Sequence, residues 1–375
     1  MEKHPHLLVR WLAGALFALA LPGFLPAAPN PAQNRLDQLA AAARKEGELT
    51  VICLPHDWVN YGEILERFAA RYGVRINELN PDGSSADELE AIRLHRNSRG
   101  RQAPDVVDVG LSFGPAAKAE GLLAPYKVLT WDTIPATLKD PEGCWYGDFY
   151  GVMAFEVNRD LVNNPPRDWS DLLLPAYRGQ VALSGDPRVA YQASMAVCAA
   201  ALAAGGSFEN LQPGLEFFRK LNDVGNFVPI AGSPGTVASG ETPIILRWDY
   251  NALANRDKSA GNPHIEVVIP RSGVVAGLYV QAISAFAPHP SAARLWMEYL
   301  YSDEGQLLWL KGYGHPVRFQ DLAQRNQIPP ALAAALPPAA AYAKALFPSL
   351  ERQNAAARFI TDHWDKVVAV TLQKH

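Results

Sequence analysis

Three groups of side chains in this sequence have the types needed to hold a small charged molecule. Trp248-Asp249-Tyr250 sets a carboxylate between two aromatic rings, a combination that attracts an ammonium group or another organic cation. On a continuing strand the two rings point to one side and Asp249 to the other, so all three meet one ligand only where the backbone turns. Ser84-Ser85 offers hydroxyls at a helix start, where free backbone N–H groups accept a carboxylate or phosphate oxygen, and Arg188 can face the same anion as a bidentate partner. Pro55-His56-Asp57-Trp58 brings an imidazole, a carboxylate and an indole together in one loop. Ser112, Asp186, Tyr191 and Tyr279 complete the set. Each has a plainer reading beside it: Ser84 and Ser85 as helix caps, Arg188 as a surface arginine, Asp249 as the cap of the helix that follows, and Trp58 as packing.

Catalytic signatures are missing from the same sequence. It holds no GxSxG elbow, HExxH pair, GxxxxGK[ST] loop or GxGxxG fingerprint, which leaves hydrolase, metalloprotease, nucleotidase and dinucleotide chemistry without an anchor. No cofactor is expected. His56 beside one Asp is too little for a metal site needing four or more donors, so no metal ligands are assigned. Cys53, Cys144 and Cys198 lie far apart, form no CxxC pair, and allow at most one disulfide. The formal charge is −4, and the broken cluster Arg93, His95, Arg96, Arg99, Arg101 reads as the solvated end of a helix, so nucleic acid is not an expected partner.

The elements that must position these residues follow from periodicity. Leu49–Leu54 is a buried-strand run, and residues 61–72 place Ile64, Leu65, Phe68 and Tyr72 at helical spacing before Gly73. A strand over 74–79 leads through Pro81-Asp82-Gly83 to a capping box read as Ser85 with Glu88. A strand over 105–111 and a helix over 114–123 follow, and the βαβαβα string argues for an α/β sheet covered on both faces. Residues 145–157 read as strands crossing out of this unit. A second βα unit then contains strands at 181–184, 242–249 and 264–270, with helices at 191–204, 211–221 and 251–258. The β-branched run 273–284 reads as a return crossing. Helices over 290–300, capped by Pro290-Ser291, and over 302–310 come next, and the tail 331–346 and 351–372 is also helical.

The strand ends of such a sheet select the candidate residues above, because ligands meet the loops at strand C-termini and helix N-termini. Ahead of the sheet, Lys3 and Arg10, the apolar run Trp11 to Leu25 and Pro26-Ala27-Ala28 have the layout of a cleavable export signal over residues 1–28. That apolar run is shorter than the ~20 residues that span a bilayer. About 345 residues remain, more than one core usually supports, which argues for two lobes.

In order and spacing, Phe68-Ala69-Ala70-Arg71-Tyr72-Gly73, Ala103-Pro104-Asp105-Val106-Val107, Gly151 to Asn158 and Tyr301-Ser302-Asp303-Glu304-Gly305-Gln306 resemble bacterial periplasmic solute-binding proteins of ABC importers. The nearest branch includes ferric-iron, polyamine, thiamine and phosphonate binders. The resemblance implies a type II-like two-lobed α/β fold with lobes joined by two crossing strands: lobe 1 from 45–143 plus 273–320, lobe 2 from 144–272 plus 321–372. It also implies a monomeric periplasmic protein that delivers a small-molecule solute to a membrane permease and catalyses nothing. A small charged solute, an organic amine such as a polyamine or a zwitterion, fits the residue list. Ferric iron or an anion is the alternative ligand, and an exported lyase or a ligand sensor the alternative function. Iron-binding members of the resembled group carry adjacent tyrosines, and this sequence has no Tyr-Tyr pair.

Overall fold

The structure is a computed structural model that describes residues 31–337, 339–342 and 344–373; the expected export signal lies outside the described residues. In chain order the first elements are α1 (Pro31–Glu46), β1 (Glu48–Ile52), α2 (Tyr61–Tyr72), β2 (Arg75–Leu79), α3 (Ser85–Leu94), β3 (Val106–Gly110), α4 (Phe113–Ala119) and the short β4 (Leu123–Ala124). The long strand β5 (Tyr146–Asn158) leaves this unit. Then come β6 (Val181–Leu183), α5 (Tyr191–Ala203), α6 (Gln212–Asp223), α7 (Pro234–Ser239), β7 (Ile244–Trp248), α8 (Asp249–Ser259) and β8 (Ile265–Val268). The chain returns through β9 (Ala276–Ser284) to α9 (Pro290–Leu300), α10 (Asp303–Lys311), the short β10 (His315–Pro316) and α11 (Phe319–Gln324). It ends with α12 (Pro330–Ala335), α13 (Ala339–Tyr342) and α14 (Leu350–Val367).

These elements build two α/β lobes. In lobe 1, β1 pairs parallel with β2, and β9 runs antiparallel between β3 and the first half of β5. The β1–β3 junction uses a side chain: Thr50 N donates to Asp105 Oδ2 at 2.7 Å while Asp105 N donates to Thr50 O at 2.9 Å. His289 seals the same carboxylate from above, with its ring nitrogen 2.8 Å from Asp105 Oδ2. Helices α1, α2, α9 and α10 cover one face and α3 and α4 the other. Lobe 2 is ordered β8-β5-β7-β6, with only β6 and β7 parallel. Its central helix α5 is buried from Tyr191 to Ala201 and apolar on every side beyond the polar Gln192 and Ser194 of its first turn, as a helix wrapped by its own lobe must be.

β5 belongs to both lobes. Tyr146 to Val152 pair with β9, whereas Met153 to Asn158 pair with β7 and β8, so the strand changes sheets between Val152 and Met153. That exchange lies later in the chain than the boundary expected at 143/144. The return path runs from β8 to β9, where Met153 N donates to Val275 O at 2.9 Å. The helical tail makes a further passage, since α11 stays with lobe 1 and α14 packs on α5 and α6 of lobe 2.

Several local expectations shift. The capping box is Ser84 with Asp87 rather than Ser85 with Glu88: Asp87 Oδ2 accepts from Ser84 N at 2.8 Å and Ser84 caps the Asp87 N–H. The first turn of α9 is capped by Glu46, whose carboxylate accepts from Ser291 N and Ala292 N at 2.8–3.0 Å. The tail is more broken than a pair of long helices, with α12 and α13 short and α14 ending at Val367. All three cysteines are free thiols.

One close approach ties β7 to β9. A Cβ on Gly277 would lie 2.2 Å from the buried Trp248 ring, so only glycine lets the indole pack flat on the strand. Gly277→Ala is therefore expected to lower the unfolding free energy by ~1–3 kcal/mol through overpacking. Urea titration measures this, and adding Trp248→Phe, which removes the clashing ring, should recover part of the loss.

Candidate functional site

Between the lobes lies a cleft of about 550 Å³. Lobe 1 lines it with Trp58 from the loop after β1, with Ser84 and Ser85 at the start of α3, and with Tyr279 from β9. Lobe 2 contributes Asp186 from the segment after β6 and Tyr191 from the first turn of α5. Six of the expected site residues thus meet around one space. Trp58 stands edge-on to Tyr279 at 5.5 Å between centroids, and Tyr279 edge-on to Tyr191 at 5.3 Å, which makes an aromatic corner where the lobes touch. Gly110 permits that corner, because a Cβ there would sit 2.4 Å from the Tyr191 ring.

The hydroxyls of the pair at α3 are already engaged. Ser84 Oγ donates to Asp87 at 2.7 Å, and Ser85 Oγ accepts from Gly110 N at 3.1 Å. Both therefore act as local structural bonds on the cleft wall, and an anion there would have to displace them.

Six expected residues lie outside the lining, each for a definite reason. His56 is exposed and points away, its Nε2 2.7 Å from Glu78 Oε2. Ser112 is buried just ahead of α4 and makes no capping bond with its side chain. Arg188 does not face α3 across the cleft. Its guanidinium is held by Asp186 and, from the tail helix, by Asp365 at 2.8 Å. The backbone does turn at Trp248-Asp249-Tyr250, yet all three side chains turn inward and are fully buried. Trp248 packs on Gly277, and Tyr250 sits between Trp58 and Phe149 at 5.6 and 5.5 Å. Asp249 binds the crossover itself: Oδ1 accepts from Val152 N at 2.9 Å and Oδ2 from Tyr342 Oη at 2.7 Å.

Sequence reasoning passed over most of the charge in the cleft. Asp82, Asp87, Glu88 and Asp108 line the lobe 1 wall beside Asp57, while lobe 2 adds Gln192, Asn251, Asn255 and the guanidinium of Arg247. The signals were present. Asp108 interrupts the apolar run Val106-Val107-Asp108-Val109, where a charge in a buried strand calls for an explanation, and Glu88 lies one helical turn after Ser84 and Ser85. Arg247 precedes Trp248 on β7 and so faces the opposite side of the strand.

Electrostatically the two walls differ. Glu88 and Asp108 are buried, with Glu88 Oε2 accepting from Asp108 N at 2.8 Å and Asp108 Oδ2 accepting from Tyr61 Oη at 2.7 Å. Burial pushes the Glu88 carboxyl well above the usual range and Asp108 up to about 6. Asp57 meets Lys258 of α8 at 3.4 Å across the rim. Opposite, Arg247 Nη1 donates to the buried Glu156 at 3.0 Å, while Arg247 Nε, itself buried, has no hydrogen-bond partner. Among the described residues, a trio of His, Cys, Asp or Glu groups placed to share an ion is Asp140, Glu142 and Cys144. It lies away from the cleft lining, and Lys118 Nζ already reaches Asp140 at 2.6 Å and Glu142 at 3.3 Å.

Comparison with known proteins agrees with this architecture. The sequence profile of a bacterial extracellular solute-binding protein matches residues 101–345. Iron uptake protein A2 of Synechocystis sp. is 29% identical over 256 residues, covering 63% of this chain and 70% of that protein. Among solved structures, the binding protein AgtB from A. tumefaciens R10 in complex with agropinic acid aligns with a TM-score of 0.68 at 16% identity. The periplasmic binding protein AfuA from Actinobacillus pleuropneumoniae, with fructose-6-phosphate bound, aligns at 0.66 and 19%. Each alignment covers 86% of this chain and 99% of the other. At these identities the likeness is one of fold: the two-lobed, type II periplasmic-binding-protein architecture.

Asp249 carries a pH signature of the crossover. Burial pushes its carboxyl up to about 6, against the hydrogen bonds from Tyr342 and Val152 that favour the charged form. With an unfolded value of about 3.9, its contribution to stability is fully present below pH ~4 and is lost as pH rises through the folded value. Asp249→Asn keeps an acceptor for Val152 N but does not ionise. Denaturant titrations between pH 4 and 7 should show a flatter decline of stability with pH in this variant than in the parent; identical slopes would assign the proton to another group.

Proposed function

The chain belongs to the bacterial extracellular solute-binding proteins, and on that premise we propose that its cleft takes up a small organic amine or zwitterion. Family membership makes it a periplasmic carrier that binds a solute, delivers it to the permease of an ABC importer and performs no chemical conversion. The observation that carries the solute class is the lobe 1 wall. Asp57, Asp82, Asp87, Glu88 and Asp108 line the same cleft as Trp58, Tyr191 and Tyr279, and carboxylates together with aromatic faces attract organic cations. Arg247 on the facing wall adds a place for a carboxylate, which suits the zwitterion within that class.

Capture works by population shift. Solute bound to both walls favours the closed arrangement, with bending taken up where β5 changes sheets and where the chain returns from β8 to β9. Binding supplies the difference between open and closed states; no chemical barrier is involved.

The iron-uptake name of one relative supports a second reading, in which ferric ion occupies the cleft. Two tyrosines are present there, but burial raises both phenols and so disfavours the phenolate that a ferric ion would need as a ligand.

Mass spectrometry of small molecules released from protein purified out of its native periplasm, followed by calorimetric titration, tests the reading. An amine or amino acid that binds supports it; tight binding of ferric citrate or of a neutral sugar, with amines inert, contradicts it. Trp58→Ala should weaken the amine by ~1–2 kcal/mol through loss of the aromatic face. Arg188→Ala should leave affinity within about 0.5 kcal/mol, because Arg188 itself lies outside the cleft lining and its partly exposed pairs with Asp186 and Asp365 contribute little.

A further inference from the structure

Beneath the lobe 1 wall, Glu88, Asp108 and Asp148 are 1%, 5% and 0% exposed. Asp108 and Asp148 lie within hydrogen-bonding reach of each other, yet Asp108 Oδ1 has no donor. Two carboxyl oxygens facing each other are both acceptors, and only a proton or an arriving cation satisfies them. Asp148 in turn accepts from Phe149 N and from Gln281 Nε2 at 3.4 Å, and Gln281 also donates to Tyr61 Oη at 2.7 Å. The other groups facing the cluster are Asp87 from α3, Cys53 after β1, Tyr279 from β9, Tyr250 from α8 and Tyr301 after α9. These are carboxyls, phenols, a thiol and an amide, and none carries a positive charge.

Glu88 and Asp108 open onto the cleft, while Asp148 lies behind it. We infer that the cationic group of the solute is seated against Asp108 and Glu88 and takes the place of a proton stored in the Glu88–Asp108–Asp148 cluster. The inference rests on the amine reading above and deepens it. In balance, a carboxylic acid and an ammonium become a carboxylate–ammonium pair, and the carboxyl proton leaves to solvent; the ammonium keeps its own protons. Burial raises all three carboxyls, and their mutual repulsion adds to the effect at Glu88 and Asp148. The cluster therefore keeps a proton to higher pH than separate, solvated carboxyls would, and capture weakens as pH falls.

Two measurements test this. Infrared spectra of the free protein at pH 6 should show a protonated-carboxyl stretch that diminishes in Asp148→Asn; its absence overturns the inference whatever the ligand. Calorimetry with 1,4-diaminobutane and with lysine as probes, in buffers of different ionisation enthalpy, should show up to about one proton released per solute bound, with affinity rising up to about tenfold per pH unit between pH 5 and 7. Asp148→Asn, which gives Asp108 a permanent donor and lies outside the cleft lining, should reduce the released proton to a small fraction. Binding with no proton release, in parent and variant alike, defeats this inference and leaves the amine reading standing. Failure of both probes and of every other amine to bind defeats both.

Discussion

Where β5 changes sheets, the backbone must remain hydrogen-bonded on both sides of the exchange, because the strand there is buried and an unmet N–H is costly. Val152 is the last residue paired with β9 and Met153 the first paired with β7. Each N–H finds a substitute: the Asp249 carboxylate for Val152 and the Val275 carbonyl for Met153. Two consequences follow. The lobes share one continuous strand without sharing one continuous sheet, which leaves a bend available. The Asp249 carboxylate at the start of α8 is committed to the crossover and cannot also serve the ligand.

That commitment explains which parts of the site were legible. Strand and helix positions followed from periodicity, and α2 spans the expected residues 61–72 because its apolar spacing and terminal glycine agree. The rule that ligands meet strand ends located the cleft, and Trp58, Ser84, Ser85, Asp186, Tyr191 and Tyr279 line it. Side-chain direction was not legible. Trp248, Asp249 and Tyr250 have the composition of a cation site, but their orientation is decided by Gly277, Val152 and Phe149, which come from other elements. Arg188 failed for the same kind of reason: its second carboxylate partner, Asp365, arrives from a helix 177 residues later. The capping box slipped by one because both Ser84/Asp87 and Ser85/Glu88 fit the local pattern, and the Asp108 N–H claims Glu88.

The cleft has two electrostatic characters. On lobe 1 the carboxyls are numerous, and the deepest are buried without a cation, a costly arrangement in low dielectric unless protons or a ligand complete it. On lobe 2, amides and one guanidinium predominate, and Glu156 balances that guanidinium from within. A solute with opposite charges at its ends would lie across the cleft, with each end on the lobe that suits it. On the proposed reading, closure would hold the two walls on one solute, and the solute itself would supply the missing counter-charge.

The central claim is that a cationic solute draws the lobes together about the β5 crossover. Small-angle X-ray scattering, recorded with and without saturating amine recovered from the native protein, tests it most directly. The account predicts a smaller radius of gyration and a shorter maximum dimension in the bound sample at constant mass. Identical profiles with the cleft demonstrably occupied would contradict it.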